Sequence, residues 1–386
     1  MVFDDWHIRF VYGNRVVKDA IIIGGGMAGL ISSILLKSSG FEVTLFEKKS
    51  YPFHRVCGEY ISNEVIPFLK RIGCYPEELE PSIISHFKLT APNGNSAEMK
   101  LDLGGFGISR YSFDQWLVKK AINAGVEVLT ETPIKSIDYN ENHFQVSGSD
   151  FTASSRIVIG AFGKRSILDN LLHRPSFKKR SPYIGVKYHC SFDNNDHEIA
   201  LHNFEGGYCG VLTVENQTVN VCYLMERKLI KKYGSIHEVE RSVIQKNPHL
   251  NDLFRNAEFH WDQPQVINEI SFARKELIYN HVLMAGDAAG MVTPLSGNGM
   301  ALAIHSAKIV TEEINKFLHG QVSRKDLELN YEKKWKDSFN KRLWFGRQIQ
   351  SLFGNPRLSN VAVQIVKNIP LVSTFLMQRT HGKLIQ

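Results

Sequence analysis

Residues 18–47 have the sequence KDAIIIGGGMAGLISSILLKSSGFEVTLFE. The apolar run at 20–23 is typical of a buried parallel strand. A glycine-rich turn follows it, then a mostly apolar helix that stops at Gly40, then a second strand that ends at Glu47. We interpret this stretch as a βαβ unit that binds a dinucleotide.

The glycines of this turn have separate predicted roles. Gly24 allows the tight turn, Gly26 lets the backbone approach a pyrophosphate, and Gly29 lets the helix pack closely on the strand. The first helical residues, Met27 and Ala28, complete a helix N-terminus, where backbone N–H groups and the helix dipole favour an anion. We therefore place all five residues in the predicted cofactor site.

Glu47 ends the second strand roughly 20 residues after the glycines, where an acid can accept hydrogen bonds from a ribose. We include the next residue, Lys48, in the same site. A purely structural glycine turn followed by an unrelated glutamate would have the same sequence. The strand before the turn, the helix after it and the distance to the acid together favour nucleotide binding.

Composition indicates an ordinary globular protein. With 386 residues, of which 43% are hydrophobic, the chain can bury a sizeable core and is expected to form two domains. Its five cysteines lack the spacing of metal ligands, so we predict no metal site and expect reduced thiols in a cytoplasmic protein. We find no secretory signal and no apolar run of about 18 residues, which argues against a membrane span.

The net charge of +7 is concentrated near the end of the chain. Residues 342–386 contain six Lys or Arg and no Asp or Glu. Nucleic-acid binding is disfavoured, because this basic tail is apolar and carries no recognised reader motif. Residues 342–353 mix basic and aromatic side chains at helical spacing, which fits a peripheral contact with the inner membrane surface or, alternatively, a helix packed over the substrate domain. The oligomeric state is left open.

Two further motifs follow the βαβ unit. Arg110 precedes a predicted helix over Asp114–Asn123. An apolar strand then leads into Gly286-Asp287, and a loop leads into a helix that ends near Leu318. That loop contains Pro294, Gly297, Asn298 and Gly299. Alone, Gly286-Asp287 would be a common helix-capping turn.

In this order, the three motifs make the chain similar to the flavoprotein superfamily of p-hydroxybenzoate hydroxylase, the flavin-dependent halogenases and the geranylgeranyl reductases. The resemblance covers roughly residues 18–318 and implies an α/β fold of the p-hydroxybenzoate hydroxylase type. That fold has a Rossmann-type FAD domain, a discontinuous α+β substrate domain and a helical C-terminus. On this basis we divide the chain into an N-terminal arm (1–17), an FAD-binding domain (18–80 with 104–165 and 266–320), a substrate domain (81–103 and 166–265) and a C-terminal helical segment (321–386).

The resemblance also implies roles for these motifs. It implies that Asp287 contacts the ribityl and pyrophosphate part of FAD, and that Arg110 lies near the phosphates. The loop with Pro294, Gly297, Asn298 and Gly299 would place backbone N–H groups at the pyrimidine end of the flavin. Such groups stabilise the negative charge of a reduced flavin.

The sequence departs from the family pattern in two places. Phe162 stands where many members have an Asp, although the turn glycine, Gly163, remains in the predicted cofactor site. The halogenase branch carries a Trp-x-Trp-x-Ile-Pro segment, which is missing here, so halogenation is disfavoured.

Residues 52–59 resemble the Pro-x-x-Lys-x-Cys-Gly loop of the geranylgeranyl reductase-like branch, which lies by the flavin. Arg55 takes the basic position, and Cys57 and Gly58 follow it. Cys57 is either a redox or substrate-contacting thiol or a small residue tolerated beside Gly58. Tyr208 lies in a region that only partly matches the family's substrate signature, and it either hydrogen-bonds substrate or belongs to the core.

We therefore expect a FAD-dependent oxidoreductase that uses NAD(P)H and reduces a C=C bond of an apolar, isoprenoid- or polyketide-like small molecule. The first alternative is a monooxygenase that uses O2 to hydroxylate an aromatic or lipid-like substrate. The second alternative, motivated by Phe162, is a non-catalytic FAD-binding protein.

Overall fold

The computed structural model describes residues 17–175, 181–270, 272, 274–291, 299–350, 354–369 and 382–386. Almost all of the predicted N-terminal arm therefore lies outside the described residues. The same holds for three predicted cofactor residues, Pro294, Gly297 and Asn298.

Seventeen strands and ten α-helices make up the described part of the chain. The strands are β1 (Lys18–Ile23), β2 (Val43–Phe46), β3 (Tyr60–Ser62), β4 (Ser82–Thr90), β5 (Ser96–Gly107), β6 (Glu127–Leu129), β7 (Ser136–Asn140), β8 (His143–Ser147), β9 (Thr152–Gly160), β10 (Tyr183–Ser191), β11 (Glu198–Phe204), β12 (Gly207–Thr213), β13 (Val219–Glu226), β14 (Glu258–Phe259), β15 (Gln265–Ile270), β16 (Ile278–Tyr279) and β17 (Val282–Met284). The helices are α1 (Met27–Ser38), α2 (Ile66–Arg71), α3 (Arg110–Asn123), α4 (Ile167–Leu171), α5 (Arg227–Tyr233), α6 (Ile236–Ser242), α7 (Pro248–Asn256), α8 (Gly299–Leu318), α9 (Arg324–Gln350) and α10 (Pro356–Asn368).

The first sheet contains the predicted βαβ unit. Its strand order is β16-β17-β9-β1-β2-β6, and β7 and β8 extend it from β9. The central strand β1 pairs in parallel with both β2 and β9. Ile21 and Ile22 of β1 are fully buried, as expected for a strand covered on both faces. The parallel strands therefore end together at the edge where the glycine turns lie.

The second sheet has nine strands in the order β14-β10-β13-β12-β11-β4-β5-β3, with β15 paired to β10. Most neighbours are antiparallel, but β11 and β4 are parallel. Two of its strands, β3 and β15, come from segments that the predicted division assigns wholly or mainly to the FAD domain. The chain passes from the first sheet to the second between β2 and β3 and returns for the last time between β15 and β16, and the predicted domain boundaries stay a prediction.

Two predicted helices have different limits in the structure. The sequence of residues 236–254 predicts a single helix, and this prediction is wrong, because α6 and α7 are separate. Pro248 has no N–H group to continue the first helix, and the side chain of Asn247 caps α7 by accepting from His249 N at 3.0 Å. The helix expected from Asp114 begins at Arg110, since Ser109 Oγ caps it by accepting from Ser112 N at 3.1 Å.

Candidate functional site

A cavity of about 500 Å³ is lined by residues of both sheets. It gathers nearly all of the described residues that the sequence assigns to the site. Those on its wall are Gly24, Gly26, Met27, Ala28, Glu47, Lys48, Arg55, Cys57, Gly58, Arg110, Gly163, Tyr208, Gly286, Asp287 and Gly299. Gly29 is not part of this wall.

The glycines of the first turn have two different roles: two of them allow close packing, and one leaves space beside the cavity. A Cβ atom on Gly24 would lie 2.5 Å from the Ala161 carbonyl oxygen, and one on Gly29 would lie 2.0 Å from the Gly24 carbonyl oxygen. A Cβ atom on Gly26 would meet no atom closer than Arg110 Nη2, at 3.6 Å. Gly24 and Gly29 thus let α1 approach the sheet, whereas Gly26 leaves room for a ligand at the helix N-terminus.

A charged end of the cavity forms around Glu47, which is buried. Its carboxylate accepts from Gly25 N at 2.9 Å, from Lys49 N at 3.1 Å and from Arg55 Nη2 at 3.3 Å. Arg55 also donates from Nε to Asp114 Oδ2 at 3.0 Å. The predicted ribose acid is therefore bonded to the glycine turn and to the loop that contains Arg55.

Arg110 lies across the turn from Glu47. Its guanidinium donates to both carboxylate oxygens of Asp114, at 2.8 and 2.7 Å. The Asp114 carboxylate is buried and holds both Arg110 and Arg55 at the mouth of the glycine turn. The two arginines balance the carboxylates of Asp114 and Glu47, and the N-terminus of α1 beside them favours a bound anion such as a pyrophosphate.

The second glycine turn, at Gly286, packs against the first. Gly286 has φ +61°, and a Cβ atom there would lie 2.9 Å from Ala28 Cβ. Lys275 Nζ donates to the carbonyl oxygens of Lys164, at 2.6 Å, and Asp287, at 2.8 Å. Burial lowers the pKa of Lys275 to about 8. This lysine joins the second glycine turn to the loop in which Phe162 replaces the family's Asp.

Arg174 reinforces the same junction. Its side chain is fully buried and donates to Asp169 Oδ1 at 2.6 Å, to Glu276 O at 2.7 Å and to Ala288 O at 3.0 Å. Sequence reasoning missed both Arg174 and Lys275, because the partners that fix their roles, Glu276 and Ala288 for Arg174 and Lys164 for Lys275, are more than 100 positions away. A local signal did exist at Ser166 and Asp169, which form a capping box at the start of α4.

A buried charge cluster lies beneath the Cys57–Gly58 loop. The fully buried carboxylate of Glu59 accepts from Lys187 Nζ and from Arg110 N, the latter at 2.7 Å, and lies 2.7 Å from His189 Nε2. Burial alone would raise the pKa of Glu59, but Lys187 and His189 outweigh burial and lower it to about 2. Sequence reasoning also missed this cluster, which joins the loop to β10 and to the start of α3.

The two candidate catalytic residues lie on the cavity wall in different surroundings. Cys57 is half-buried, its thiol accepts a 3.5 Å hydrogen bond from Glu59 N, and its carbonyl accepts one from Asn220 Nδ2 at 3.3 Å. Tyr208 is buried on β12 in an apolar cluster with Leu201. Cys57 therefore belongs to the loop over residues 57–59, which Asn220 and the Glu59 cluster hold in place and which we call the fixed loop. Tyr208 lies at the apolar end of the cavity. The catalytic roles of both residues stay predictions.

The wall has the chemistry that FAD requires. The open face at Gly26, the N-terminus of α1 and the two arginines suit a pyrophosphate, and Glu47 suits a ribose. The apolar end suits an aromatic ring system. Among the described residues, no group of three or more His, Cys, Asp or Glu side chains could hold a metal ion.

Comparison with known proteins places these features in context. The FAD binding domain family matches residues 18–341. The chain is 25% identical to a digeranylgeranylglycerophospholipid reductase from Methanococcus vannielii, over 84% of each protein.

Solved structures show the same fold. A flavin-dependent brominase, Bmp2, superimposes with a TM-score of 0.78 at 16% identity, covering 96% of this chain and 95% of the brominase. A probable FAD-dependent monooxygenase from Pseudomonas aeruginosa gives a TM-score of 0.73 at 16% identity, covering 89% of this chain and 99% of the monooxygenase. These likenesses confirm the fold of the p-hydroxybenzoate hydroxylase type. In the part of the chain that the structure describes, no helix is both long and apolar enough to cross a membrane.

Proposed function

We propose that this chain, which belongs to the FAD binding domain family and is a flavin-dependent oxidoreductase, reduces a C=C bond of an apolar, isoprenoid- or polyketide-like substrate with electrons from NAD(P)H. Bound FAD would supply the hydride-transfer chemistry. The chain itself would hold the cofactor, bind the hydrocarbon and exclude water.

The observation that carries this proposal is the apolar end of the cavity. Its side chains come mainly from the second sheet and include Ile199, Leu201, Leu212, Leu224, Ile267, Ile270 and Met291. Such a wall gains free energy by covering a hydrocarbon chain, and it keeps water away from the reacting bond. The reductase name of the Methanococcus vannielii relative supports the same substrate class.

The cofactor would be held from both glycine turns. We assign the pyrophosphate to the N-terminus of α1 at Gly26 and to Arg110, and the ribose to Glu47. Gly286 and Asp287 would meet the ribityl part. Further cofactor contacts would come from Met27, Ala28, Lys48, Arg55, Gly58, Gly163 and Gly299, together with Pro294, Gly297 and Asn298, which lie outside the described residues.

The fixed loop would present Cys57 to the reacting part of the site. Asn220 Nδ2 donates to the carbonyls of Cys57, at 3.3 Å, and Gly58, at 3.0 Å. Glu59 anchors the next position through Lys187 and His189. These contacts favour a loop that keeps one shape during the reaction, with Tyr208 on the apolar side of the substrate.

The second candidate is a monooxygenase. The fold likeness to the probable FAD-dependent monooxygenase from Pseudomonas aeruginosa favours it. Such an enzyme would use the same cofactor contacts but would need O2 and a substrate that accepts oxygen. The two candidates differ in a measurable way, because oxygen is a reactant in only one of them.

The test is NADPH and NADH oxidation by the purified yellow protein, with and without oxygen, in the presence of polyprenyl or phenolic lipids. Oxidation that is stimulated by a polyprenyl lipid, persists without oxygen and yields a product two hydrogens heavier supports the reductase. Oxidation that needs oxygen and yields a hydroxylated product supports the monooxygenase. Peroxide should be followed in parallel, since peroxide without product would contradict both.

A further inference from the structure

Helix α10 has apolar side chains on two sides. With 3.6 residues per turn, Val363 and Val366 lie on one side and are buried. Leu358, Val361 and Ile365 lie on another side and are 45%, 53% and 41% exposed. Together with the exposed residue that follows the helix, they form what we call the outer stripe: Leu358, Val361, Ile365 and Ile369.

The buried side of α10 backs the cavity. Val363 and Val366 share an apolar cluster with Leu201, Tyr208 and Met291. Those three cluster members also line the cavity. The helix therefore separates the apolar end of the cavity from the surface on which the outer stripe is displayed.

The start of α10 is firmly held. Gly206 N donates to Gly354 O at 2.8 Å, so the turn before the helix is bonded to the loop between β11 and β12. Asn355 Oδ1 caps the helix by accepting from Arg357 N at 3.0 Å and from Leu358 N at 3.3 Å. A capped, anchored helix presents its outer stripe as a fixed surface.

The charges of the chain segment that contains the outer stripe are of one sign. The sequence contains no Asp or Glu from residue 338 to its end, and α10 carries the exposed cations Arg357 and Lys367. By contrast, Arg342 near the end of α9 pairs with the buried carboxylate of Glu64 at 2.9 and 3.2 Å. The cations of α10, not Arg342, are therefore available to an outside partner.

We propose that the outer stripe rests on an anionic lipid surface, with Arg357 and Lys367 at the level of the headgroups. An exposed apolar face on a helix whose polar side carries cations and no acidic residues is the pattern that lies in a membrane interface. A second copy of this chain fits less well, because a symmetric contact would bring like charges together. The proposal rests on the proposed function, since it places the apolar end of the cavity beside the phase in which an apolar substrate dissolves.

The test is flotation of the FAD-loaded full chain with vesicles of phosphatidylcholine alone or mixed with phosphatidylglycerol. We expect binding to the mixed vesicles, and we expect Val361→Ser/Ile365→Ser to weaken it about tenfold through the lost apolar contact. Arg357→Gln/Lys367→Gln should weaken binding to the mixed vesicles and reduce its sensitivity to salt. The matched control is Ile122→Ser, an exposed apolar residue on α3, which should leave binding unchanged.

Three results would overturn the proposal: no binding of the unmodified chain to mixed vesicles, equal binding by Val361→Ser/Ile365→Ser, or a dimer in sedimentation that this double variant abolishes. Flavin absorbance shows that each variant has folded. NADPH oxidation with a short, detergent-soluble polyprenyl substrate should be the same in all of them. Vesicle binding without any such oxidation would count against the proposed function alone.

Discussion

The two ends of the cavity are built in different ways. The cofactor end is made of backbone turns and charged side chains, in which single atoms at Gly25, Glu47 and Asp114 have defined partners. The substrate end is lined by apolar side chains of the second sheet and backed by those of α10, which contact one another without fixed directions. The difference teaches that substitutions at the cofactor end should act through specific clashes or unpaired charges. At the apolar end, the effect of a substitution should depend gradually on how much side-chain volume it adds or removes.

The largest effect should come from removing the buried charge beneath the second glycine turn. Arg174→Met would leave Asp169 without its cation and the carbonyl of Ala288 without its donor. We expect a loss of about 3–5 kcal/mol in the free energy of unfolding, because an uncompensated buried charge is costly. Urea unfolding at neutral pH measures it.

The matched control for Arg174 is Arg241→Met. Arg241 forms an exposed ion pair with Glu238, and losing such a pair should cost less than about 1 kcal/mol. Equal losses for the two variants would contradict the view that buried charges hold the cofactor end together.

The second prediction compares two glycines of one turn. Gly29→Ala should lower the free energy of unfolding by about 3 kcal/mol or more, because its Cβ atom would lie 2.0 Å from the Gly24 carbonyl oxygen. Gly26→Ala should leave stability almost unchanged, since its Cβ atom meets nothing within 3.5 Å, but it should sharply weaken FAD retention. Thermal unfolding of the apo-proteins and flavin absorbance after gel filtration separate the two effects. An FAD-loaded Gly26→Ala protein would contradict the assignment of the pyrophosphate site.

The sequence was sufficient for the parts whose reasons are local. The strand over 20–23, the glycine turn and the start of α1 are neighbours in the chain, so their spacing predicted the βαβ unit that the structure confirms. Glu59 illustrates the opposite case, because its partners Lys187 and His189 are 128 and 130 positions away. A buried ion cluster of that kind depends on how the two sheets meet, and no periodicity or spacing reports it. The same reason hid Arg174 and Lys275, each of which has a partner more than 100 positions away.

The third prediction concerns the charge cluster that joins the two ends. Glu59→Gln should cost about 2 kcal/mol at pH 7, because Lys187 would lose its charged partner but could still donate to the Gln carbonyl oxygen. The folded-state pKa of Glu59, about 2, lies below the usual value of 4.5, so the unfolded chain takes up the proton first. The stability that Glu59 contributes is therefore complete above about pH 4.5 and is lost as the pH falls towards 2.

The measurement is urea unfolding of Glu59→Gln and the unmodified chain over this pH range. The difference in free energy of unfolding between the two proteins should become smaller as the pH falls below 4.5. Glu98→Gln, which removes a largely exposed carboxylate paired with Lys88, should differ little from the unmodified chain in free energy of unfolding at every pH. A difference that does not change with pH would mean that the pKa of Glu59 is the same in the folded and unfolded chain, which would contradict a stabilising role for the ionised carboxylate.

The smallest effect on stability should be that of Tyr208→Phe at the apolar end. The ring stays in its cluster with Leu201 and Met291, so the free energy of unfolding should change by less than about 1 kcal/mol. If the hydroxyl contacts substrate, KM for a polyprenyl lipid should rise by about 2- to 10-fold, which is the range that one neutral hydrogen bond covers. The control is Tyr183→Phe, which removes a hydroxyl from the edge of the same cluster but away from the cavity wall. Both variants keep their apolar volume. A difference in KM between them would therefore indicate that the Tyr208 hydroxyl forms a hydrogen bond with substrate at the apolar end of the cavity. Equal KM values would mean that Tyr208 is a core residue that does not hydrogen-bond substrate.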